Sequence, residues 1–356
     1  MKKVLISTGG SGGHVIPAIT IYDHLKDRYE IIISTDARGL VYIGKKYKTI
    51  VVNTPKLNNF LTLPFSIIKI FFLTIYSLLI LKKENVSILI STGGYMSLPL
   101  CFAAKICGIQ TYLIEPNMVL GRANKFFLNF SKKIICYSKN LLNFPHVMQK
   151  KLTTITPLIR KEYYELKPNL KKDNFFTITI IGGSQGAKIF DKLLNKSLIS
   201  IAKKVSLKII HQTNEKNIDF LRNFYRENNI ANKVFSFDHN LNVLLQQSNL
   251  CITRAGASSL AELSFLNIPF IAIPLTSSKD NHQYHNAKFY KDQNCCWIVN
   301  QKDFDNLKFN EFLLKLITEN DDYLIKKKNL QNLNYQNTWN NVNQDLLKII
   351  DKNEIS

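Results

Sequence analysis

Acidic residues are scarce in this sequence: 26 Asp and Glu stand against 47 Lys and Arg, a net charge of +21 at pH 7. A balance of this kind suits an anionic partner, whether nucleic acid, phospholipid headgroups or a phosphorylated substrate. Lys, Asn and Ile crowd the whole chain, a pattern that biased codon usage also produces. No basic, aromatic-laced recognition motif is present, which argues against nucleic acid. Paired cysteines are also lacking. Cys101, Cys107, Cys136, Cys251, Cys295 and Cys296 form no C-x-x-C, which excludes a zinc or disulfide framework and fits reduced cytosolic thiols. Lys2 and Lys3 precede only the short apolar run Val4 to Ile6. The N-terminus is therefore expected to be a first strand and not a signal peptide.

What is present is enough for two domains: 356 residues, 46% of them hydrophobic. One apolar run is long. "FSIIKIFFLTIYSLLIL", Phe65 to Leu81, carries Lys69 as its single charge and is closed by Lys82 and Lys83. Its length is at the bottom of the spanning range of roughly 17–25 residues. The expectation is a helix that is partly buried or lies in a bilayer interface with basic flanks.

Strand and helix alternate along the first half: Val4–Ser7, a helix Ile16–Tyr29, Glu30–Ser34, Ile50–Val52, the apolar helix, Ser87–Ser91, a helix Ser97–Cys107, "TYLIE", a helix near Gly121–Asn129 and "KIICYS". The polar stretch Thr156–Asn174 reads as a linker. The pattern then restarts with "FFTITII", a helix Lys188–Lys203, "LKIIHQT", a helix Glu215–Asn228, "KVFSF", "LCIT" and "PFIAIPL". The expected fold class is α/β, two Rossmann-like doubly wound parallel sheets facing a cleft. The expected division is 1–158, 159–335 and an amphipathic C-terminal helix within 336–356 packing back on the first domain. The Lys/Asn-rich approach to that helix reads as exposed.

Glycine-rich turns follow three strands: "TGGSGGH" from Thr8, "TGGYMSLP" from Thr92 and "GGSQGA" from Gly182. Glycine permits positive φ and a close backbone approach, so successive N–H groups can face an anion at a helix N-terminus. The first turn has no Walker lysine, and Val15 stands where a dinucleotide fingerprint needs its third glycine. Asp36 sits where such an enzyme carries its ribose carboxylate, but the missing glycine argues against that reading. His14 is the distinctive side chain of the loop. An imidazole there either caps the helix, binds phosphate or takes a proton from a bound hydroxyl. In "TRAGASSLAEL" (Thr253–Leu263), Ser258 and Ser259 read as a helix cap or a diphosphate site, and Glu262 as a first-turn acid or a ribose ligand. "DNHQYHNA" (Asp280–Ala287) offers hydrogen bonds to sugar hydroxyls. His282 and His285 lack a third ligand, so no metal is expected.

In order, "TGGSGGHVIPA", "TGGYMSLP", "EPN…GRANK", "GGSQGA", "TRAGASSLAEL" and "DNHQYHNA" resemble the motifs of the MurG family, the UDP-N-acetylglucosamine:lipid I N-acetylglucosaminyltransferases of glycosyltransferase family 28. The likeness spans nearly the whole chain and is weakest after about Asp303. It implies a GT-B fold, with lipid I on the first domain and UDP-GlcNAc on the second. It implies an inverting transfer of GlcNAc to the C4 hydroxyl of the MurNAc of undecaprenyl-diphosphate-linked lipid I, yielding lipid II for peptidoglycan, cell shape and division. No cofactor is implied. The enzyme would be peripheral, on the cytoplasmic face of the inner membrane, and would meet an anionic surface through Phe65–Leu81 and its basic residues.

Carried over residue by residue, the resemblance makes His14 the general base. It assigns Ser11, Gly12, Gly13, Asn117, Arg160, Ser184, Asp238, Ala257, Ser258, Ser259, Leu260, Ala261, Glu262 and Gln283 to UDP-GlcNAc, with Ser11, Gly12, Gly13 and Asn117 close to the acceptor diphosphate as well. Gly94, Tyr95, Glu115 and Asn124 fall to the acceptor. Three positions depart from the family pattern. Ile114 and Pro116 replace polar residues, an extra residue precedes Arg160 in "TPLIR", and Asp238 stands at a usually apolar position. Two other activities share the architecture, a diacylglycerol glycosyltransferase and a UDP-GlcNAc 2-epimerase. "GGSQGA" disfavours the first, and the apolar helix disfavours the second.

Overall fold

The structure is a computed structural model that describes residues 1–55, 61–167, 174–183, 188–238 and 240–351. It comprises two units, Met1–Lys161 with Asn337–Ser356, and Glu162–Gln336.

The first unit is built on strands β1 (Lys3–Ser7), β2 (Glu30–Thr35), β3 (Thr49–Val51), β4 (Val86–Ser91), β5 (Gln110–Glu115), β6 (Lys133–Cys136) and β7 (Leu152–Thr154). All pair in parallel, in the order β3-β2-β1-β4-β5-β6-β7. Alternation along the strands feeds two cores. Val4, Ile6, Ile88, Ile90 and Tyr112 pack with Ile21 and Leu25 on one face. Leu5, Leu89 and Leu113 pack with Leu81, Leu100, Ala104 and Phe127 on the other. Strands covered on both faces read as continuous apolar runs.

Helix Trp339–Asp351 closes the first of these cores with Val342, Leu346 and Ile350. Asn337 Nδ2 donates to the Pro157 carbonyl at 3.2 Å, and the Trp339 ring stacks on His24 with centroids 3.6 Å apart.

The second unit repeats the scheme with β8 (Phe176–Ile181), β9 (Leu207–Gln212), β10 (Ala231–Phe235), β11 (Leu250–Thr253), β12 (Phe270–Ala272) and β13 (Cys296–Ile298), all parallel in the order β10-β9-β8-β11-β12-β13. In each unit the strand order reverses direction beside the first strand. The crevice at such a switch point, at the carboxyl ends of the strands, is where open α/β sheets bind ligands.

Several local expectations change. The first helix begins within the glycine turn, at Gly12, and ends at Leu25. The expected helix Lys188–Lys203 is two helices, Phe190–Leu193 and Asn195–Ala202. The stretch read as a linker holds the boundary between the two units, at Lys161 and Glu162, and among its described residues Leu158, Ile159 and Tyr163 are buried. The Lys/Asn-rich approach to the last helix is largely exposed, as expected, and it is helical. Helices Asn306–Thr318 and Asp321–Asn334 bury Phe309, Leu313, Tyr323 and Leu330 beneath polar outer faces.

The apolar run forms helix Leu63–Lys83, long and apolar enough to cross a membrane by length and composition, with 28% of its most apolar 18-residue window buried inside the protein. It packs on helix Leu98–Ile106. Its buried stripe, Ser66, Ile70, Thr74, Ser77, Ile80 and Leu81, is half small polar residues. Its outward face is Phe65, Ile67, Ile68, Phe71, Phe72, Ile75, Tyr76 and Leu79. The helix thus turns its most apolar side away from the protein.

Candidate active site

The site in the first unit follows from pairing β1 with β4. Ser7 lies opposite Ser91, so the two Thr-Gly-Gly turns leave the sheet side by side. Thr92 N donates to the Ser7 carbonyl at 3.0 Å, and Thr92 Oγ1 donates to Thr8 Oγ1 at 2.8 Å. Gly9, Gly10, Gly93 and Gly94 all have positive φ. At Gly94, where φ is +79°, a Cβ would lie 2.6 Å from Met96 Sδ and 3.4 Å from His14 Nε2, so the turn beside His14 favours glycine.

His14 occupies the first turn of helix Gly12–Leu25, after Ser11 at the N-cap, which makes no side-chain capping bond. Its Nδ1 is 2.7 Å from the Thr92 carbonyl oxygen. A carbonyl only accepts, so Nδ1 carries a proton, and in the neutral ring the lone pair is then on Nε2, beside Gly94. Gly12 and Gly13 open the same helix, with their amides at its positive end.

Asp36 plays a different part from the ribose ligand its position suggests. Its Oδ1 accepts from Gly10 N at 2.7 Å and from Gly39 N at 2.9 Å, while Oδ2 accepts from Arg38 Nε at 3.0 Å and Nη2 at 2.6 Å. Burial works to raise its pKa. The Gly10 amide, the Arg38 guanidinium and the Gly39 amide outweigh that and hold the carboxyl below its ordinary value. The carboxylate is thereby spent on shaping the loop. Arg38, absent from the sequence-derived site, also donates to the Tyr95 hydroxyl.

Glu115 and Asn124 form a second knot at the end of β5. Glu115 is buried, and both its oxygens serve its own loop. Oε1 accepts from Asn117 N at 3.2 Å and Nδ2 at 3.0 Å, and Oε2 from Gly121 N at 2.8 Å and Asn124 Nδ2 at 2.9 Å. Asn124 Nδ2 also reaches the Ile114 carbonyl at 3.0 Å. The family departure at Ile114 thus leaves that backbone contact in use. The Asn124 side chain lies against Gly93, where a Cβ would be 3.1 Å from Nδ2. Arg160 is half-buried and groups with the first unit by its contacts.

In the second unit the switch point lies between β8 and β11, where Ile181 pairs with Thr253. Gly183 has a φ of 75°. Ser184 and the rest of "GGSQGA" lie outside the described residues. After β11, the buried Arg254 is a structural clamp. Its Nη1 donates to the Ile273 and Pro274 carbonyls at 3.0 and 3.2 Å and its Nη2 to Gln301 Oε1 at 2.8 Å, and burial lowers its pKa. Helix Ala257–Phe265 starts after Gly256 with no side-chain cap, so Ala257, Ser258 and Ser259 form an amide-rich first turn. Leu260 and Ala261 are buried behind it, as is Glu262, whose Oε2 accepts from the Tyr163 hydroxyl at 2.8 Å.

Gln283 opens helix His282–Asp292, and its Oε1 accepts from Leu275 N at 2.9 Å and Ala255 N at 3.3 Å. Both bonds use Oε1 and neither uses the amide nitrogen. Asp238 accepts from Lys233 Nζ at 3.1 Å and Asn240 N at 2.8 Å. Among the described residues no group of three or more His, Cys, Asp and Glu stands together to hold a metal.

Comparison with known proteins agrees with this geometry. The glycosyltransferase family 28 N-terminal domain matches residues 4–136 and the family 28 C-terminal domain matches 177–341. A Pelagibacter ubique protein named UDP-N-acetylglucosamine--N-acetylmuramyl-(pentapeptide) pyrophosphoryl-undecaprenol N-acetylglucosamine transferase is 46% identical over 354 residues, 99% of each chain. A Rickettsia bellii protein of the same name is 35% identical, covering 89% of this chain and 91% of its own. The crystal structure of Acinetobacter baumannii MurG superposes with a TM-score of 0.78 at 22% identity, over 99% of this chain and 100% of its own, and so shares the fold. The chain therefore belongs to glycosyltransferase family 28, in the MurG family of N-acetylglucosamine transferases.

Proposed function

We propose that this enzyme moves GlcNAc from UDP-GlcNAc to the C4 hydroxyl of the MurNAc of lipid I, with inversion, and that His14 is its general base. The observation that carries the residue assignment is the bond from His14 Nδ1 to the Thr92 carbonyl, which in the neutral ring leaves the lone pair on Nε2 beside the Gly94 turn. Direct displacement at an anomeric carbon needs a base for the attacking hydroxyl and positive potential for the departing diphosphate. In this reading His14 Nε2 takes the hydroxyl proton as the new glycosidic bond forms and the bond to UDP breaks. The amides at the start of helix Ala257–Phe265 receive the negative charge of the leaving UDP. Glu262 and the Gln283 amide nitrogen hold the ribose and GlcNAc hydroxyls. Gly94, Tyr95 and Asn124 line the acceptor side, and Glu115 shapes it by holding Asn117, Gly121 and Asn124.

The membrane part of the proposal rests on the outward face of helix Leu63–Lys83. So large an exposed apolar face marks an interaction surface, and an acceptor carried on a polyprenyl diphosphate places that surface against lipid. The helix lies in the interface, its Lys69, Lys82 and Lys83 meeting anionic headgroups. The enzyme is then peripheral, on the cytoplasmic face of the inner membrane, and serves cell-wall growth, shape and division.

The test is UDP release from UDP-GlcNAc by purified protein, with and without a lipid I analogue. Turnover that requires the acceptor supports the transferase reading. Acceptor-independent formation of UDP-ManNAc would replace it with an isomerase. For the membrane claim, release from membranes by high salt or mild alkali is expected, and retention through both would favour a span.

A further inference from the structure

Beside the base, the first unit carries a cation that the proposed mechanism does not use. Arg38 sits just after β2 with its side chain 44% exposed. Its Nε and Nη2 are both bonded to Asp36 Oδ2, and Nη2 also donates to the Tyr95 hydroxyl. Asp36 is itself pinned by the Gly10 and Gly39 amides, so the guanidinium is held from behind. A Cβ on Gly10 would lie 3.6 Å from Arg38 Nη2. The cation thus borders the first glycine turn, and Tyr95 directly follows Gly94, the residue beside His14 Nε2.

Two donors are left over by this arrangement. Arg38 Nη1 has no protein partner among the described residues. The Tyr95 oxygen accepts from Arg38, so that bond does not use its own O–H, which can still donate. The remaining guanidinium N–H groups at Nη1 and the neighbouring phenol can each meet an oxygen of one diphosphate. Because the guanidinium is fixed in advance by a buried carboxylate, little ordering cost attends binding.

We propose that Arg38 is the cation that receives the diphosphate of the lipid-linked acceptor, sharing it with the Tyr95 hydroxyl. The inference rests on the transferase reading above. It follows from chemistry within one unit: the attacking hydroxyl and the diphosphate stand at opposite ends of the same pyranose ring, C4 and C1. A base that serves the first needs a cation a sugar's length away for the second. A diphosphate also arrives with the nucleotide donor, and kinetics separate the two sources.

Initial rates of the full-length enzyme would be measured with a short-chain lipid I analogue and UDP-GlcNAc varied independently, for wild type, Arg38→Gln and Arg38→Lys. The expected result for Arg38→Gln is an acceptor KM raised at least tenfold, with the UDP-GlcNAc KM within twofold of wild type. Arg38→Lys recovers part of the loss, since it restores charge without the fixed guanidinium geometry. The wild-type acceptor KM rises with ionic strength, and that slope flattens in Arg38→Gln, a change that a purely structural role would not produce.

A fall in kcat with both KM values unchanged would overturn the assignment, as would a KM rise confined to UDP-GlcNAc. Should Arg38→Gln fail to fold, Tyr95→Phe removes only the O–H, and a several-fold rise in acceptor KM alone is expected. No rise in that variant would count against the proposal. Wild-type protein that does not glycosylate the analogue at all would overturn the transferase reading first, and this proposal with it.

Discussion

His14 and Thr92, 78 residues apart in the chain, are joined by a 2.7 Å hydrogen bond from the imidazole Nδ1 to the carbonyl oxygen. One ring nitrogen is thereby committed as a donor, and in the neutral ring the other carries the lone pair that the proposed base would use. His14→Ala is expected to lower kcat by about 10²–10⁴-fold, the usual share of a general base, with much smaller changes in either KM. Steady-state UDP release checks this. Near-normal turnover would remove His14 from the role without touching the family assignment.

Gly94 makes a sharper probe of the same geometry. With φ at +79°, and a Cβ 2.6 Å from Met96 Sδ and 3.4 Å from His14 Nε2, Gly94→Ala strains the backbone and crowds the base together. A loss of about 1–3 kcal/mol in stability is expected from the backbone alone. The fall in kcat should persist at temperatures where circular dichroism shows the variant folded.

Glu115→Gln keeps the size of the side chain but puts N–H groups where an oxygen now accepts. Either the Asn117 pair or the Gly121 and Asn124 pair then faces a donor. The expected cost is about 1–3 kcal/mol, read by thermal unfolding, together with a raised acceptor KM. An unchanged KM would reduce Glu115 to a purely structural residue.

His24 predicts an acid-sensitive C-terminal helix. Burial against Trp339 pushes its pKa down to about 3 from the ordinary 6.5. Above about pH 6.5 the imidazole is neutral in both the folded and unfolded chain, and its full contribution to stability is present. As pH falls toward 3 only the unfolded chain takes up the proton, so stability drops, by up to about 5 kcal/mol on linkage grounds. His24→Phe keeps a stacked ring and should flatten the fall between pH 6.5 and 4, followed by chemical unfolding.

The outward face of helix Leu63–Lys83 predicts how the protein binds vesicles. Replacing both Phe71 and Phe72 by Glu removes two exposed apolar side chains. At about 1.5–3 kcal/mol per ring, partition onto vesicles containing anionic lipid should drop by at least about a hundredfold. Turnover of a water-soluble, short-chain acceptor should stay within twofold of wild type.

The sequence by itself determined the repeating strand-helix pattern, the apolar helix and the glycine turns. Each of these is a local signal: period, composition, or a backbone conformation that glycine alone adopts cheaply. It pointed to His14 because an imidazole in a glycine turn is unusual for a phosphate loop. It read the approach to the last helix correctly as exposed but gave no sign of the helix that buries Tyr323 and Leu330 there. It placed the linker across the boundary between the units, but its polar composition hid the burial of Leu158, Ile159 and Tyr163 there.

Tertiary structure alone decided which nitrogen of His14 is free, since that depends on β1 lying beside β4 and bringing in the Thr92 carbonyl. It turned Asp36 from an apparent ribose ligand into the clamp on Gly10 and Arg38, and it brought Arg38 to Tyr95, 57 residues away. It also decided that Ser66, Thr74 and Ser77 face inward while the phenylalanines face out. Composition names the residues of a helix, but only its packing against helix Leu98–Ile106 selects the side that is buried.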